Sequence, residues 1–247
     1  MVNAKEYFSV AREYLEKARS TQREAVMTAA KMMSECMLND GIVQLFGVGH
    51  NRTFSMELGY RAGGLMPFHQ FNPADLAMRE GMDVKEIRDP NFFERSDIVD
   101  RLWNLYNIDS RDMFIIICDA GVQKAVIDFA MKVKANNHKL IVVTSMEATT
   151  KLEARHESGK KLYQLADLVI DCGAPYPDTV LSLNDQIKIN QVSGICGNII
   201  AQMITAETYN YLTSNGHEAP VLLSANVTGA DVHNRAISDK YLGRWNS

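Results

Sequence analysis

Gly41-Ile42-Val43-Gln44-Leu45-Phe46-Gly47-Val48-Gly49-His50-Asn51-Arg52 is the stretch that decides the fold. Ile42 to Val48 is a short apolar run, rich in β-branched residues and too brief for a core helix. It passes through Gly47 and Gly49 into a helical pattern at roughly 52–62. A buried strand that turns on glycine into a helix is the first half of a βαβ unit. The same alternation runs on. Met113 to Cys118, Leu140 to Val143 and Leu168 to Ile170 read as further buried strands, and Pro67 to Phe71 as a fifth. Helical patterns at roughly 96–106 and 122–136 lie between them. Strands apolar on both faces and separated by helices predict a mostly parallel sheet covered on both sides, an α/β fold. A long helix from Gln191 to about Asn215, marked by Val192, Ile195, Ile199, Met203 and Ala206, closes the core.

Three segments lie outside this alternation. The first forty residues predict one long amphipathic helix, because Tyr7, Ala11, Tyr14, Ala18, Ala25, Ala29, Met33 and Met37 recur at helical spacing. Its apolar face packs either on its own domain or on a second copy of the chain. Asn72 to Glu94 is polar, with Pro73, Gly81 and Pro90, and reads as an insertion or a cover over a site. The last segment gathers Ser224, Asn226, Gly229, Asp231, His233 and Asn234. The apolar Pro220 to Leu223 ahead of them predicts a tail folded back on the core, since a free tail gains nothing from such residues. The expected organisation is a single domain, 1–247, with an N-terminal helix (1–40), an α/β core (41–215) and a returning tail (216–247).

Composition narrows the function classes. The 247 residues are 46% hydrophobic and 23% charged, which suits a chain with a real core and excludes disordered and collagen-like ones. A formal net charge of −4 gives no general attraction for nucleic acid or an anionic membrane. The longest apolar run, Met113 to Cys118, is far too short to span a bilayer, and the N-terminus has no apolar h-region. The four cysteines, Cys36, Cys118, Cys172 and Cys196, have no C-x-x-C spacing, and the six histidines show no metal-ligand spacing. A cytoplasmic protein with no metal and no cofactor is the expectation.

Ligands of open parallel sheets bind outside the carboxyl ends of the strands. The turns to read are therefore Gly47 to Asn51, Asp119-Ala120-Gly121 and Thr144-Ser145, each leading from a strand toward a helix N-terminus. Gly47 and Gly49 let the backbone approach a ligand closely. The dinucleotide fingerprint is absent, because Arg52 stands where its third glycine would be.

This first turn, followed by Tyr60-Arg61-Ala62-Gly63-Gly64-Leu65, resembles the SIS (sugar isomerase) domain family, most closely a stand-alone bacterial branch. Glu94-Arg95-Ser96, Arg155-His156 with Ser158-Gly159-Lys160-Lys161-Leu162, and Ser224-Ala225-Asn226 with Asp231, His233 and Asn234 extend the likeness, in order, over residues 42–234. The resemblance implies a flavodoxin-like three-layer α/β/α sandwich with a five-stranded parallel sheet, a homodimer, and a sugar or sugar-phosphate ligand. It also implies that a Glu or His moves a proton between neighbouring sugar carbons, and that hydroxyls after the first and second strands hold a phosphate.

The second turn departs from that pattern. Where the family usually carries Ser-x-Ser-Gly, this chain has Cys118, Asp119, Ala120 and Gly121. Losing two hydrogen bonds to a charged group costs about 3–6 kcal/mol, or roughly a hundredfold to ten-thousandfold in phosphate affinity. Asp119 is either the N-cap of the next helix or a carboxylate that accepts from sugar hydroxyls.

Proton transfer near neutral pH favours His and Glu. The expected catalytic pair is His233 and Glu94, the latter competing with an ion pair to Arg95 or Arg101. The expected ligand contacts are Gly47, Gly49, His50, Asn51, Asp119, Gly121, Thr144, Ser145, His156 and Lys160. The expected activity is aldose–ketose isomerisation, with a non-catalytic carbohydrate sensor as the alternative.

Overall fold

The computed structural model of the protein describes residues 2–59 and 61–244, so Tyr60 of the glycine-rich motif lies outside the described residues. Five strands, β1 (Val43–Gly47), β2 (Phe68–Gln70), β3 (Met113–Ile117), β4 (Lys139–Thr144) and β5 (Leu168–Asp171), form one sheet in the order β2-β1-β3-β4-β5. Every pair is parallel. The central strands β1, β3 and β4 coincide with apolar runs, as burial on both faces requires, whereas the edge strand β2 carries His69 and Gln70. A second, antiparallel pair, β6 (Thr179–Ser182) and β7 (Lys188–Gln191), stands apart.

The helices in chain order are α1 (Ala4–Thr21), α2 (Arg23–Leu38), α3 (Arg52–Leu58), α4 (Ala74–Glu80), α5 (Val84–Ile87), α6 (Ile98–Asn104) and α7 (Lys124–Ala135). They continue with α8 (Met146–Lys151), α9 (Ser193–Ser214) and α10 (Ala230–Ser238). One face of the sheet packs Val43, Leu45, Ile115, Ile117, Ile141 and Val143 against α2, α3 and α9. The other packs Phe46, Phe114, Ile116, Leu140 and Val142 against α6 and α7. This is a three-layer α/β/α sandwich.

The single long N-terminal helix is corrected to two. α1 ends and α2 begins at Gln22, whose backbone leaves the helical region. Arg19 to Glu24 is a polar stretch with no core residue to hold a continuous helix. Within it the Ser20 and Thr21 hydroxyls fold back onto the carbonyls of Glu16 and Lys17, a bond that bends helices. The break turns Gln22 Oε1 toward β5, where it accepts from Asp171 N at 3.0 Å and covers part of an open sheet edge.

The polar segment 72–94 is built from short regular elements. It holds α4, α5 and a 3-10 turn, Phe92–Glu94, and anchors them with buried Leu76, Met82 and Phe92. The tail pairs Val221 with Leu65, just ahead of β2, and packs Tyr241 on Ile42 and Met66.

A buried polar chain ties these parts together. His69 Nδ1 donates to Gln44 Oε1 at 2.7 Å, and Gln44 Nε2 donates to Asp112 Oδ2 at 2.9 Å. Burial, helped by the Arg79 charge, pushes His69 from 6.5 down to about 4. The unfolded chain therefore takes up a proton near pH 6.5 that the folded chain refuses until about pH 4. Stability is complete above pH 6.5 and falls as pH drops toward 4, by up to about 3 kcal/mol. Unfolding midpoints measured from pH 7.5 to 4.5 should decline less steeply in His69→Gln than in wild type; equal slopes would contradict this assignment.

Candidate functional site

Strand order reverses direction at β1, with β2 on one side and β3 on the other, so the switch point lies between the carboxyl ends of β1 and β3. Two of the turns singled out in the sequence meet there. Gly47 ends β1 in close contact with β3: a Cβ added to it would lie 2.9 Å from Ile117 Cγ2. Gly49, His50 and Asn51 follow as a 3-10 turn leading into α3. In the second turn Gly121 adopts a φ of +61°, and an added Cβ would sit 3.0 Å from Thr149 Oγ1. Only glycine fits there.

Asp119 is not a helix cap. Residues 120–122 intervene, and α7 begins at Lys124 with Gln123 at its N-cap. The Asp119 carboxylate instead accepts from Asn51 Nδ2 at 3.0 Å, which joins the first turn to the second. Cys118 fills the place of the family's first hydroxyl as a buried thiol, its Sγ 2.9 Å from Gln123 Oε1. Burial, reinforced by the Asp119 charge, pushes this thiol up to about 12, so it is neutral at physiological pH.

The most informative group is one the sequence did not disclose. His50 Nε2 lies 3.0 Å from Ser193 Oγ, at the start of α9. Ser193 Oγ also lies 2.7 Å from Asp178 Oδ2 and 2.9 Å from Gln191 Oε1. A carboxylate and an amide oxygen only accept, and serine has a single proton to give. The shortest contact, to the charged Asp178 carboxylate, takes that proton, which assigns His50 Nε2 as the donor to Ser193. The neutral ring then carries its lone pair on Nδ1. His50 is exposed and its Nδ1 faces no protein hydrogen-bond partner among the described residues. Ser193 is only 3% exposed, so it holds the histidine and is not itself a reachable nucleophile.

The hairpin explains the convergence. Asp178 precedes β6 and Gln191 ends β7; the pairing of Thr179 with Gln191 and the Val192 N to Asp178 O bond bring both beside Ser193. Tyr7 of α1 buttresses them by donating to Gln191 O at 2.8 Å. Residues so far apart in sequence, on half-exposed strands without strong periodicity, give no local signal.

His50, Asp119 and Asp178 present ligand atoms within 4.8 Å of one another, the one such cluster of three His, Cys, Asp or Glu side chains among the described residues. Neither carboxylate has an ion-pair partner among the described residues. Two unneutralised carboxylates repel a phosphate and attract hydrogen-bond donors such as sugar hydroxyls.

The remaining expected site residues are used differently. Thr144 Oγ1 donates to Asp119 O at 3.1 Å. Ser145 Oγ donates to Ala174 O at 2.7 Å and caps α8. His156 is buried between Asp128 Oδ1, 2.8 Å from Nε2, and Ser158 Oγ, 2.7 Å from Nδ1, so both ring nitrogens are occupied. Lys160 is exposed, its backbone N–H on Ser158 Oγ.

Glu94 is exposed, and the ion pair that would make it structural is not formed: Arg95 pairs with Glu86 and Asp97, and Arg101 with Glu80 and Asp97. His233 is not brought to this cluster within one chain. Its Nε2 lies 2.9 Å from Val221 O, and Val221 pairs with Leu65 below the start of β2. That is the opposite end of the sheet from His50, about 20 Å away at the rise of a strand. Asn234 likewise bonds Leu223 N and O, so this tail motif pins the returning segment in place.

Among known proteins, the chain is 34% identical over 99% of its length to the UPF0309 protein GK1441 of Geobacillus kaustophilus, covering 95% of that protein. Its fold matches the phosphoheptose isomerase GmhA from Neisseria gonorrhoeae with a TM-score of 0.55 at 13% identity, over 83% of this chain and 96% of the other. A phosphoheptose isomerase from Francisella tularensis matches at 0.52 and 18% identity, over 83% and 95%. The family model described as SIS domain matches residues 6–145. With a family match over more than half its length, a near-full-length relative and the β2-β1-β3-β4-β5 sheet, the chain belongs to the SIS domain family.

Proposed function

We propose that the protein binds a sugar or sugar phosphate where the turns after β1 and β3 meet, and isomerises it between aldose and ketose. The observation that carries this reading is the exposed His50, locked by Ser193 with Nδ1 free, beside the carboxylates of Asp119 and Asp178. Such isomerisation takes the proton from C2 of the aldose, passes through an enediol, and returns a proton to C1. His50 Nδ1 is the proposed carrier of that proton, since a neutral imidazole accepts near pH 7. It takes the role expected of His233. Glu94, which forms no ion pair among the described residues, is the proposed second carrier, serving the sugar oxygens. Asp119 and Asp178 orient the ring by accepting from its hydroxyls. The matched phosphoheptose isomerases act on phosphorylated sugars in the same fold, which supports the substrate class. Assembly as a homodimer is proposed through the N-terminal helices, where Phe8 and Met27 are left exposed.

A non-catalytic sensor is the second reading, favoured by the loss of both hydroxyls at Cys118-Asp119-Ala120. Proton NMR of a panel of aldoses and aldose phosphates in D2O separates the two. An isomerase forms the ketose with deuterium at C1, and on reversal leaves deuterium at C2 of the aldose; a sensor binds without exchange.

A further inference from the structure

A cavity of about 240 Å3 lies between α3 and the edge strand β2, lined by Leu45, Ser55, Met56, Gly59, Phe68 and Gln70. Two of its polar atoms, Ser55 Oγ and Gln70 Nε2, are shut off from solvent and have no hydrogen-bond partner among the described residues. Ser55 is only 1% exposed. A helical hydroxyl normally turns back to a carbonyl one turn earlier. Ser20, Thr28, Ser34, Thr205 and Thr208 all do so here, and Ser55 does not. An unpaired buried polar group is unfavourable and calls for a reason.

The position supplies one. Gln70 stands opposite Leu45 at the carboxyl end of β2, the same end of the sheet as His50. Ser55 follows Asn51 by four residues, so the two share one face of α3, a single turn apart. The rest of the lining, Leu45, Met56 and Phe68, is hydrocarbon or thioether. An occupant must therefore offer an acceptor oxygen to two donors and a short hydrocarbon surface to the floor.

We propose that this cavity is a ligand subsite, which receives a neutral substituent carrying an acceptor oxygen, with Ser55 and Gln70 as its hydrogen-bonding groups. It rests on the site reading above only for what the substituent is attached to. It adds a substrate requirement one turn along α3 from Asn51.

The test uses the full-length protein labelled with 13C-methyl methionine, with the Met56 methyl as reporter and propionamide as probe. Propionamide should shift the Met56 resonance saturably. Ser55→Ala and Gln70→Leu should each weaken that binding by about three- to tenfold, the loss of one neutral hydrogen bond. Ser55→Ala should also unfold at the same or a higher temperature, because it removes an unpaired group from the interior. An unmoved Met56 resonance would overturn the proposal, as would equal propionamide affinity in wild type and both variants. A response to xenon but not to propionamide would mark a plain apolar hollow and overturn it too. These readouts need neither turnover nor a ligand at His50, so they fail separately from the isomerase reading.

Discussion

His50→Ala should lower turnover by roughly a hundredfold to ten-thousandfold, the range expected when a positioned proton carrier is removed. The fold should be untouched, because His50 is exposed and its one side-chain bond is to Ser193. The informative companion is Ser193→Ala. It leaves the imidazole in place but removes the acceptor that fixes the proton on Nε2, so the ring samples both tautomers and orientations. kcat should fall by a smaller factor, and KM should change little. His50→Gln, which keeps a polar side chain without a titratable nitrogen, should be as inactive as alanine. Full activity in both His50 variants would remove His50 from the proton-transfer step.

The second large effect is on stability. Asp112 is 3% exposed and gathers four donors: Ile42 N, Gln44 Nε2, Asp109 N and the Arg244 guanidinium. Its alanine variant leaves Arg244 without a counter-charge in a half-buried position and strips three further donors of their acceptor. Breaking a buried pair in this way costs about 3–5 kcal/mol. For a chain of this size each kcal/mol moves the midpoint by roughly 2–4 °C, so Asp112→Ala should unfold about 6–20 °C lower. Arg244→Ala should cost less, because Asp112 keeps its three other donors. A midpoint within a degree of wild type for Asp112→Ala would show that this hub holds nothing together.

Much of the fold was legible because both-face burial leaves its mark on composition. Ile42 to Val48 and Met113 to Cys118 are apolar at every position but Gln44 and Gly47, and no other element of that length needs to be. The turns after them followed from the topology alone. The break at Gln22 was hidden because Ala18 and Ala25 are seven residues apart, two whole turns, so the periodicity stays in phase across it. Asp119 looked like a cap because it directly precedes a helical pattern; three turn residues defer the helix and free the carboxylate. Ser193, Asp178 and Gln191 were illegible for a different reason. A short hairpin with exposed positions brings them to His50, and their role exists only in three dimensions. His233 sits in a segment that resembles the family, but its Nε2 donates to Val221 O beside Leu65, a placement that depends on how the tail returns and leaves no local mark in the sequence.

The most direct test of the central claim, a carbohydrate ligand between the turns after β1 and β3, is thermal unfolding against matched sugars and sugar phosphates. A ligand at a hundred times its dissociation constant adds about 2.7 kcal/mol, or roughly 5–11 °C here. The account predicts such a shift with at least one member of the panel, and its disappearance in Asp119→Ala. No shift with any sugar or sugar phosphate, or a shift retained in full by Asp119→Ala, would contradict it.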